Sequence, residues 1–478
     1  MLSLAALAPS AFMPMGPAPI ASKMYLTKVA MDGKGFGGGE ATRDPEPTRV
    51  DPNDPKAKQT AIFKAESFSD YLARRGGGGG AGPQMSASRL TGGNSAFAAK
   101  HNSVPTNVGL MVDPIERHFL DRTAEIVATL GPASFSKEVI ESLVKSGVDV
   151  FRLNSSHRRP GQFEEIVPWI RDAAKASGRN VRILGDLQGP KFRCSMTEGD
   201  QPVPLAEGST FELALCANDD DLTRPGRVTL TPTTEQTALM RGLQPGIKLL
   251  FDDGLMEVEV VSKQSDTLCT ATVLLGGNLK SRKGINVPEL QIDCSALTIK
   301  DTEDAEYLLG MLLPTDYIAL SFAQKGADIQ ELIDVMDRMG IAPENRPLII
   351  PKIEKPAALR NIDEILALSD GLMVARGDMG VELGLHRVPT AQKFLIRKAN
   401  EAKKYCITAT QMVESMITNA VPTRAEVTDV AGAVFDGTDA VMCSGETAMG
   451  AHPDRTVQWM GRIIAESEAH SDEISPSF

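Results

Sequence analysis

The chain has no apolar run close to the roughly 20 residues needed to cross a bilayer, which excludes a membrane-spanning helix. It also lacks any close-spaced pair of cysteines. Cys194, Cys216, Cys269, Cys294, Cys406 and Cys443 lie far apart, which argues against a disulfide framework and a zinc pattern and fits a reducing compartment. Basic excess is missing too. Lys and Arg number 50 against 62 Asp and Glu, and the net charge of −12 speaks against a nucleic-acid partner. What is present is the composition of an ordinary globular protein, 42% apolar and 23% charged over 478 residues. That length suits two or three domains, or one barrel with additions. In so acidic a chain, a site for anionic substrates must be locally cationic or carry a metal.

Composition changes near residue 120. Residues 1–31 contain no Asp or Glu, are rich in Ala, Met, Pro and Ser, and carry Lys23 and Lys28, the bias of an organelle import leader. The start MLSLAALAPSAFMP, with small residues before Phe12, resembles the two-part leaders of algae with secondary plastids, so a plastid location is expected. The alternative is a plain tail on a cytoplasmic protein. Residues 32–110 continue Gly- and Pro-rich, including RRGGGGGAGP, and cannot bury enough surface to fold. Within them AIFKAESFSDYLARR spaces Ile62, Phe63, Phe68, Tyr71 and Leu72 close to a helical period, without an assignable function. Residues 1–119 are therefore expected to be a disordered leader and linker.

From residue 122 onward, short β-branched runs alternate with amphipathic stretches. The expected strands are 125–130, 148–153, 181–186, 316–320, 347–352, 370–375, 405–409 and 439–443. Helix-length segments lie between most of them, one opened by Ser136 ahead of the apolar face Val139, Ile140, Leu143 and Val144. Strand–helix alternation implies a parallel sheet, and eight such units imply a closed (β/α)8 TIM barrel of the α/β class. Residues 195–290 break the rhythm with hairpin-like runs such as RVTLTPTTE and TLCTATVLLGG. The expectation is a small all-β lid domain, a β-barrel over 194–286, inserted into a barrel of 120–193 and 287–478.

Barrel enzymes carry their chemistry at the C-terminal ends of the strands. There the sequence offers Arg152, Asn154, Ser156 and His157; Asp186, Gln188, Lys191 and Arg193; Ser321; Lys352 and Glu354; Arg376 and Asp378; Thr410 and Gln411; Ser444 and Glu446. On one strand such residues would be a solvated rim, but here acids, bases and hydroxyls converge from seven. Glu354 and Asp378 suffice to hold a magnesium ion that keeps positions for water and substrate. Arg152, Arg193 and Lys352 suit phosphate. The Gly377–Asp378 turn opens a short helix whose N–H groups could take a carboxylate. Phosphoryl transfer asks for little more than positioning and charge neutralisation.

TLGPAS, FRLNSSH, DLQGPKFR, KIE, MVARGDMGVEL, ATQMVESM, PTRAEVTDV and SGETA resemble, in order and spacing, the signature blocks of the pyruvate kinase family, over about residues 120–470. The resemblance implies transfer of the phosphoryl group of phosphoenolpyruvate to ADP, giving pyruvate and ATP in glycolysis, with Mg2+ or Mn2+. By position it implies that Arg152 and Lys352 act on the phosphoryl group, Glu354 and Asp378 bind the metal, and Gly377, Asp378 and Thr410 meet the substrate. Asn154, Ser156 and Asp186 would line a monovalent-cation pocket. His157, Arg193 and Lys283, with Arg282, would face the nucleotide, and Thr410 and Ser444 would border the protonation path.

Three departures stand out. Leu187 and Lys191 replace the Thr and Glu of potassium-dependent members, so an ammonium substitutes for the potassium charge and K+ is not expected to be required. Ser155 and Arg158 stand where Phe and Gly are usual. The chain ends at Phe478, where the family continues into an effector-binding α/β domain, so that domain is expected to be absent and assembly to be a dimer through the barrel. The competing readings are a catalytically inactive binding or scaffold protein and another metal-dependent barrel acting on the same metabolites. The first must explain why Lys352, Glu354 and Asp378 all remain, and the second leaves Arg282 and Lys283 without a role.

Overall fold

The computed structural model describes residues 118–471 apart from Asp219, Gln291, Asp293 and 311–314. The expected leader and the amphipathic segment at 61–75 lie outside the described residues.

Eight strands close a parallel barrel: β1 (Glu125–Thr129), β2 (Val150–Asn154), β3 (Arg182–Asp186), β4 (Tyr317–Leu320), β5 (Leu348–Ile353), β6 (Gly371–Ala375), β7 (Tyr405–Ala409) and β8 (Ala440–Cys443). Each pairs with its sequence neighbour, and β1 closes on β8 with Glu125 opposite Ala440. Alternation along the strands makes two cores. Val127, Leu184, Ile350, Met373 and Ile407 fill the interior, while Ile126, Ile183, Ile349, Leu372 and Cys406 face the helices.

The longer helices of the barrel are α1 (Lys137–Ser146), α2 (Gln162–Ser177), α3 (Ile299–Gly310), α4 (Gly326–Arg338), α5 (Arg376–Leu383), α6 (Val388–Glu401), α7 (Arg424–Phe435) and α8 (Pro453–Ala469). The Ser136 hydroxyl accepts from the Val139 amide, the cap expected from the sequence, and Gly147 takes a φ of +113° to end α1. A capping box between Thr423 and Glu426 opens α7.

Between β3 and α3 lies a second apolar cluster around Phe211, Leu213, Val228, Phe251, Val258 and Ala271. Its strands form a seven-stranded sheet in the order Phe192–Arg193, Gly284–Asn286, Lys248–Phe251, Met256–Ser265, Leu268–Leu275, Thr210–Leu215 and Arg227–Leu230. Val203–Leu205 and Gly277–Leu279 make a separate ribbon. These pairings are those of an open sheet with a ribbon rather than a closed ring. The sequence reading also missed a helix here. Thr234–Gly242 is helical, capped by the Thr233 hydroxyl accepting from the Gln236 amide, where the Thr-rich run had suggested only hairpins.

Candidate active site

The barrel strands deliver their charged ends to one mouth. Arg152, in the middle of β2, donates Nε to Asp186 Oδ2 at 2.6 Å and Nη1 to Thr129 Oγ1 at 3.1 Å. Lys352 on β5 donates to Ser321 Oγ at 2.8 Å and lies 3.3 Å from Asp186 and 3.5 Å from Glu354. Burial alone would raise the Asp186 carboxyl, but Arg152 and Lys352 overcome it and hold the group below the usual carboxylate range. Burial likewise works against the Lys352 charge, yet Asp186 and Glu354 keep its pKa above the ordinary lysine value. This ammonium is fixed and charged.

Glu354 is 1% exposed and accepts the Phe322 amide at 2.6 Å. Burial pushes its pKa up to about 7, with Lys352 opposing and Asp378 adding to the rise. Asp378, in the first turn of α5, meets Lys191 at 2.9 Å, and Lys191 also reaches Asp253 of the inserted sheet at 3.8 Å. Burial would discharge Lys191, but Asp378 holds its pKa up. The departure at position 191 thus places its ammonium on the carboxylate of α5. No hydrogen bond joins it to Asn154, Ser156 or Asp186, the pocket in which it was expected.

Two carboxylates that follow neighbouring strands, Glu354 just after β5 and Asp378 in the first turn of α5, one of them buried against a cation, are a donor set that fits a divalent ion completed by substrate and water. Among the described residues no three His, Cys, Asp or Glu side chains gather to form a full protein cage.

Thr410 closes the other side. Its φ of +72° is one that β-branched residues rarely adopt. The Arg376 Nη2 donates to its carbonyl at 2.6 Å, Nη1 holds both Asp429 oxygens at 2.8 Å, and the Thr410 hydroxyl accepts the Gly377 amide at 2.7 Å. That last bond corrects an expectation: the Gly377 N–H is already engaged by Thr410 and is not a free donor. Ser444 follows β8, and the wholly buried Glu446 accepts from its amide at 2.6 Å and from the Val413 amide at 3.3 Å.

The remaining expected residues lie on the turn after β2 and on the inserted sheet. The Asn154 side chain accepts the Ser156 amide at 3.1 Å and caps the short turn Ser155–His157. The His157 side chain lies outside what is described. Arg193 donates to the Arg282 carbonyl at 3.2 Å. Lys283 pairs with Asp252 at 2.7 Å. A cleft of about 790 Å³, lined among others by Gln188, Lys191, Arg193, Arg282, Thr298 and Lys300, opens where the sheet joins the barrel. It adjoins the site but is not lined by Lys352, Glu354 or Asp378. Sequence reading passed over the anchoring roles of Ser321, Arg376 and Glu446, although all three follow barrel strands.

Residues 121–457 match the family profile described as the pyruvate kinase barrel domain. The chain belongs to the pyruvate kinase family. A pyruvate kinase of Agrobacterium vitis is 44% identical over 73% of this chain and 70% of its own length. One of Geobacillus stearothermophilus is 42% identical over 74% of this chain, which spans 59% of that protein. The crystal structure of a pyruvate kinase from Cryptosporidium parvum superposes with a TM-score of 0.67 at 35% identity, covering 75% of this chain and 74% of that one. Family membership accounts for the barrel and for the order of the charged strand ends.

Proposed function

We propose that this chain is an active phosphotransferase that moves the phosphoryl group of phosphoenolpyruvate to ADP, yielding pyruvate and ATP. The observation that carries the reading is the Lys352 ammonium, fixed by Ser321, Asp186 and Glu354 in the barrel mouth beside Arg152. Arg152 binds the phosphoryl group in the ground state. Lys352 neutralises it as the bond to the enolate oxygen breaks and the bond to the ADP oxygen forms. Glu354 and Asp378 would hold Mg2+ or Mn2+, which when bound neutralises the substrate's carboxylate and phosphate oxygens. Thr410 and Ser444 border the face on which the enolate carbon takes its proton. Arg193, Lys283 and His157 serve the nucleotide phosphates, and Lys191, held on Asp378 rather than in the Asn154, Ser156 and Asp186 pocket, supplies a fixed positive charge to the mouth, so that K+ is dispensable.

A coupled assay for pyruvate, run with and without ADP and with the metal chelated, tests this. Pyruvate release that depends on both ADP and the metal is expected, and its absence would sink the proposal. The acid-free residues 1–31 support import into a plastid. A fluorescent protein carrying residues 1–119 that stayed in the cytosol would refute that. Assembly as a dimer through the barrel is the accompanying proposal, and a monomeric sedimentation profile would remove it.

A further inference from the structure

Arg158 and Ser155, which replace the family's usual Gly and Phe, find partners on one face of α3. The Arg158 Nη2 meets Asp304 Oδ1 at 3.0 Å, and its guanidinium lies 4.0 Å from the centre of the Tyr307 ring. Asp304 is 2% exposed and also receives the Lys300 ammonium, whose second bond goes to the Ser155 carbonyl at 3.3 Å. That carbonyl accepts the Arg158 amide as well, at 3.3 Å. The Tyr307 hydroxyl bonds Glu164 of α2, closing a ring of contacts around the turn. Lys300, Asp304 and Tyr307 are spaced at i, i+4 and i+7, one stripe of a helix. The first turn of the same helix holds the next loop, since the buried Asp301 accepts the Gly189 amide at 3.0 Å. The helix therefore grips both loops that carry the proposed nucleotide and cation groups. The Ser155 hydroxyl, 1% exposed, has no hydrogen-bond partner among the described residues, so beyond the Asn154 cap the turn is held by this ring from outside.

We infer that Arg158, through the buried Asp304 of α3, is a positioning residue that fixes the Asn154–His157 turn for the nucleotide phosphates. The inference rests on the phosphotransfer reading for its ligand. A buried carboxylate shared by two cations loses its balance when one is removed, and the turn then gains freedom that nucleotide binding must freeze out again. The group most affected is the ligand bound by that turn, not the phosphoenolpyruvate held across the mouth by Arg152 and Lys352.

The test is a double-mutant cycle of Arg158→Ala and Asp304→Asn in the full chain, with Arg158→Lys as the conservative control and Lys300→Met as a second, more exposed entry to the same ring. Steady-state kinetics would be read alongside ADP binding by calorimetry. The expected result is a tenfold rise in KM and Kd for ADP in either single variant, with less than a further twofold rise in the double. The KM for phosphoenolpyruvate should stay within twofold, and Arg158→Lys should recover part of the loss. An inactive parent would count against the phosphotransfer reading alone, because the calorimetric ratio still judges the brace. Should Arg158→Ala or Asp304→Asn not fold, Lys300→Met must still raise the ADP constants at least threefold. Lower melting temperatures with unchanged ADP affinity, or equal changes for both substrates, would overturn the inference.

Discussion

Replacing Lys352 by Met removes the charge at the centre of the mouth while keeping most of the side chain's volume. The ammonium lies 3.3 Å from Asp186 and 3.5 Å from Glu354. At an effective dielectric near 20, each contact corresponds to about 5 kcal/mol of gross attraction, most of it offset by desolvation. What catalysis draws on is the smaller differential part. Removing one preorganised cation or donor from developing charge typically costs about 3–4 kcal/mol, so kcat should fall roughly 100- to 1000-fold. Arg152 remains on the phosphoryl side, so the KM for phosphoenolpyruvate should shift by less than about fivefold. Rapid-quench measurement of a single turnover isolates the phosphoryl step. Thermal unfolding of the same variant is also needed, because Asp186, 1% exposed, is left with Arg152 as its remaining cation. A single-turnover rate within about threefold of the parent would refute the electrostatic role of Lys352.

Lys191→Glu should convert the protein to one that requires potassium, with initial rates in potassium- and sodium-free buffer falling at least about tenfold and recovering on adding K+. Equal rates with and without K+ would contradict this. Metal affinity should depend on pH through Glu354, whose pKa is raised to about 7. A divalent ion needs the carboxylate, so protons compete below that pH, and the apparent Mn2+ constant should weaken by up to about tenfold per unit as pH falls and level off above it. Binding constants flat from pH 5.5 to 8 would rule this out. Arg376→Lys should cost kcat about tenfold or more, because a lysine cannot span the Thr410 carbonyl and both Asp429 oxygens together. A change confined to melting temperature would argue against it. At the other end of the barrel, Tyr405→Phe removes a 2.6 Å bond to Glu125 while keeping the stack on Tyr317. It should lower unfolding stability by about 1–2 kcal/mol in urea titration and leave kcat unchanged.

The barrel was legible because its signal is local. Every barrel strand announced itself as a short apolar run, and the structure moves the ends by only a residue or two, as with 148–153 against Val150–Asn154. The Ser136 cap was readable for the same reason. The inserted sheet was less so. Its order places Thr210–Leu215 parallel to Arg227–Leu230 at one edge, a pairing set by long-range packing that alternation along a strand cannot encode. In the mouth, residue types were legible but partners were not. Lys191 follows β3, and nothing local says that its ammonium reaches Asp378 on α5 rather than the Asn154 turn. The Gly377 amide looked free because a helix start exposes its donors, yet a threonine from the next strand had already taken it.

Charge balance explains why so polar a mouth can sit on an acidic protein. Arg152, Lys191 and Lys352 face Asp186, Glu354 and Asp378, and each cation already has a carboxylate partner. A phosphoryl group approaching Arg152 and Lys352 therefore competes with Asp186, and a divalent ion approaching Asp378 competes with Lys191. Binding becomes an exchange of partners among groups already withdrawn from water, and the full desolvation penalty is not incurred a second time. It follows that phosphate and metal should bind more tightly together than apart, since each releases a group that can pair with the other's charge. Calorimetric titration of phosphate with and without Mn2+ measures that coupling, and affinities that simply add would contradict the exchange.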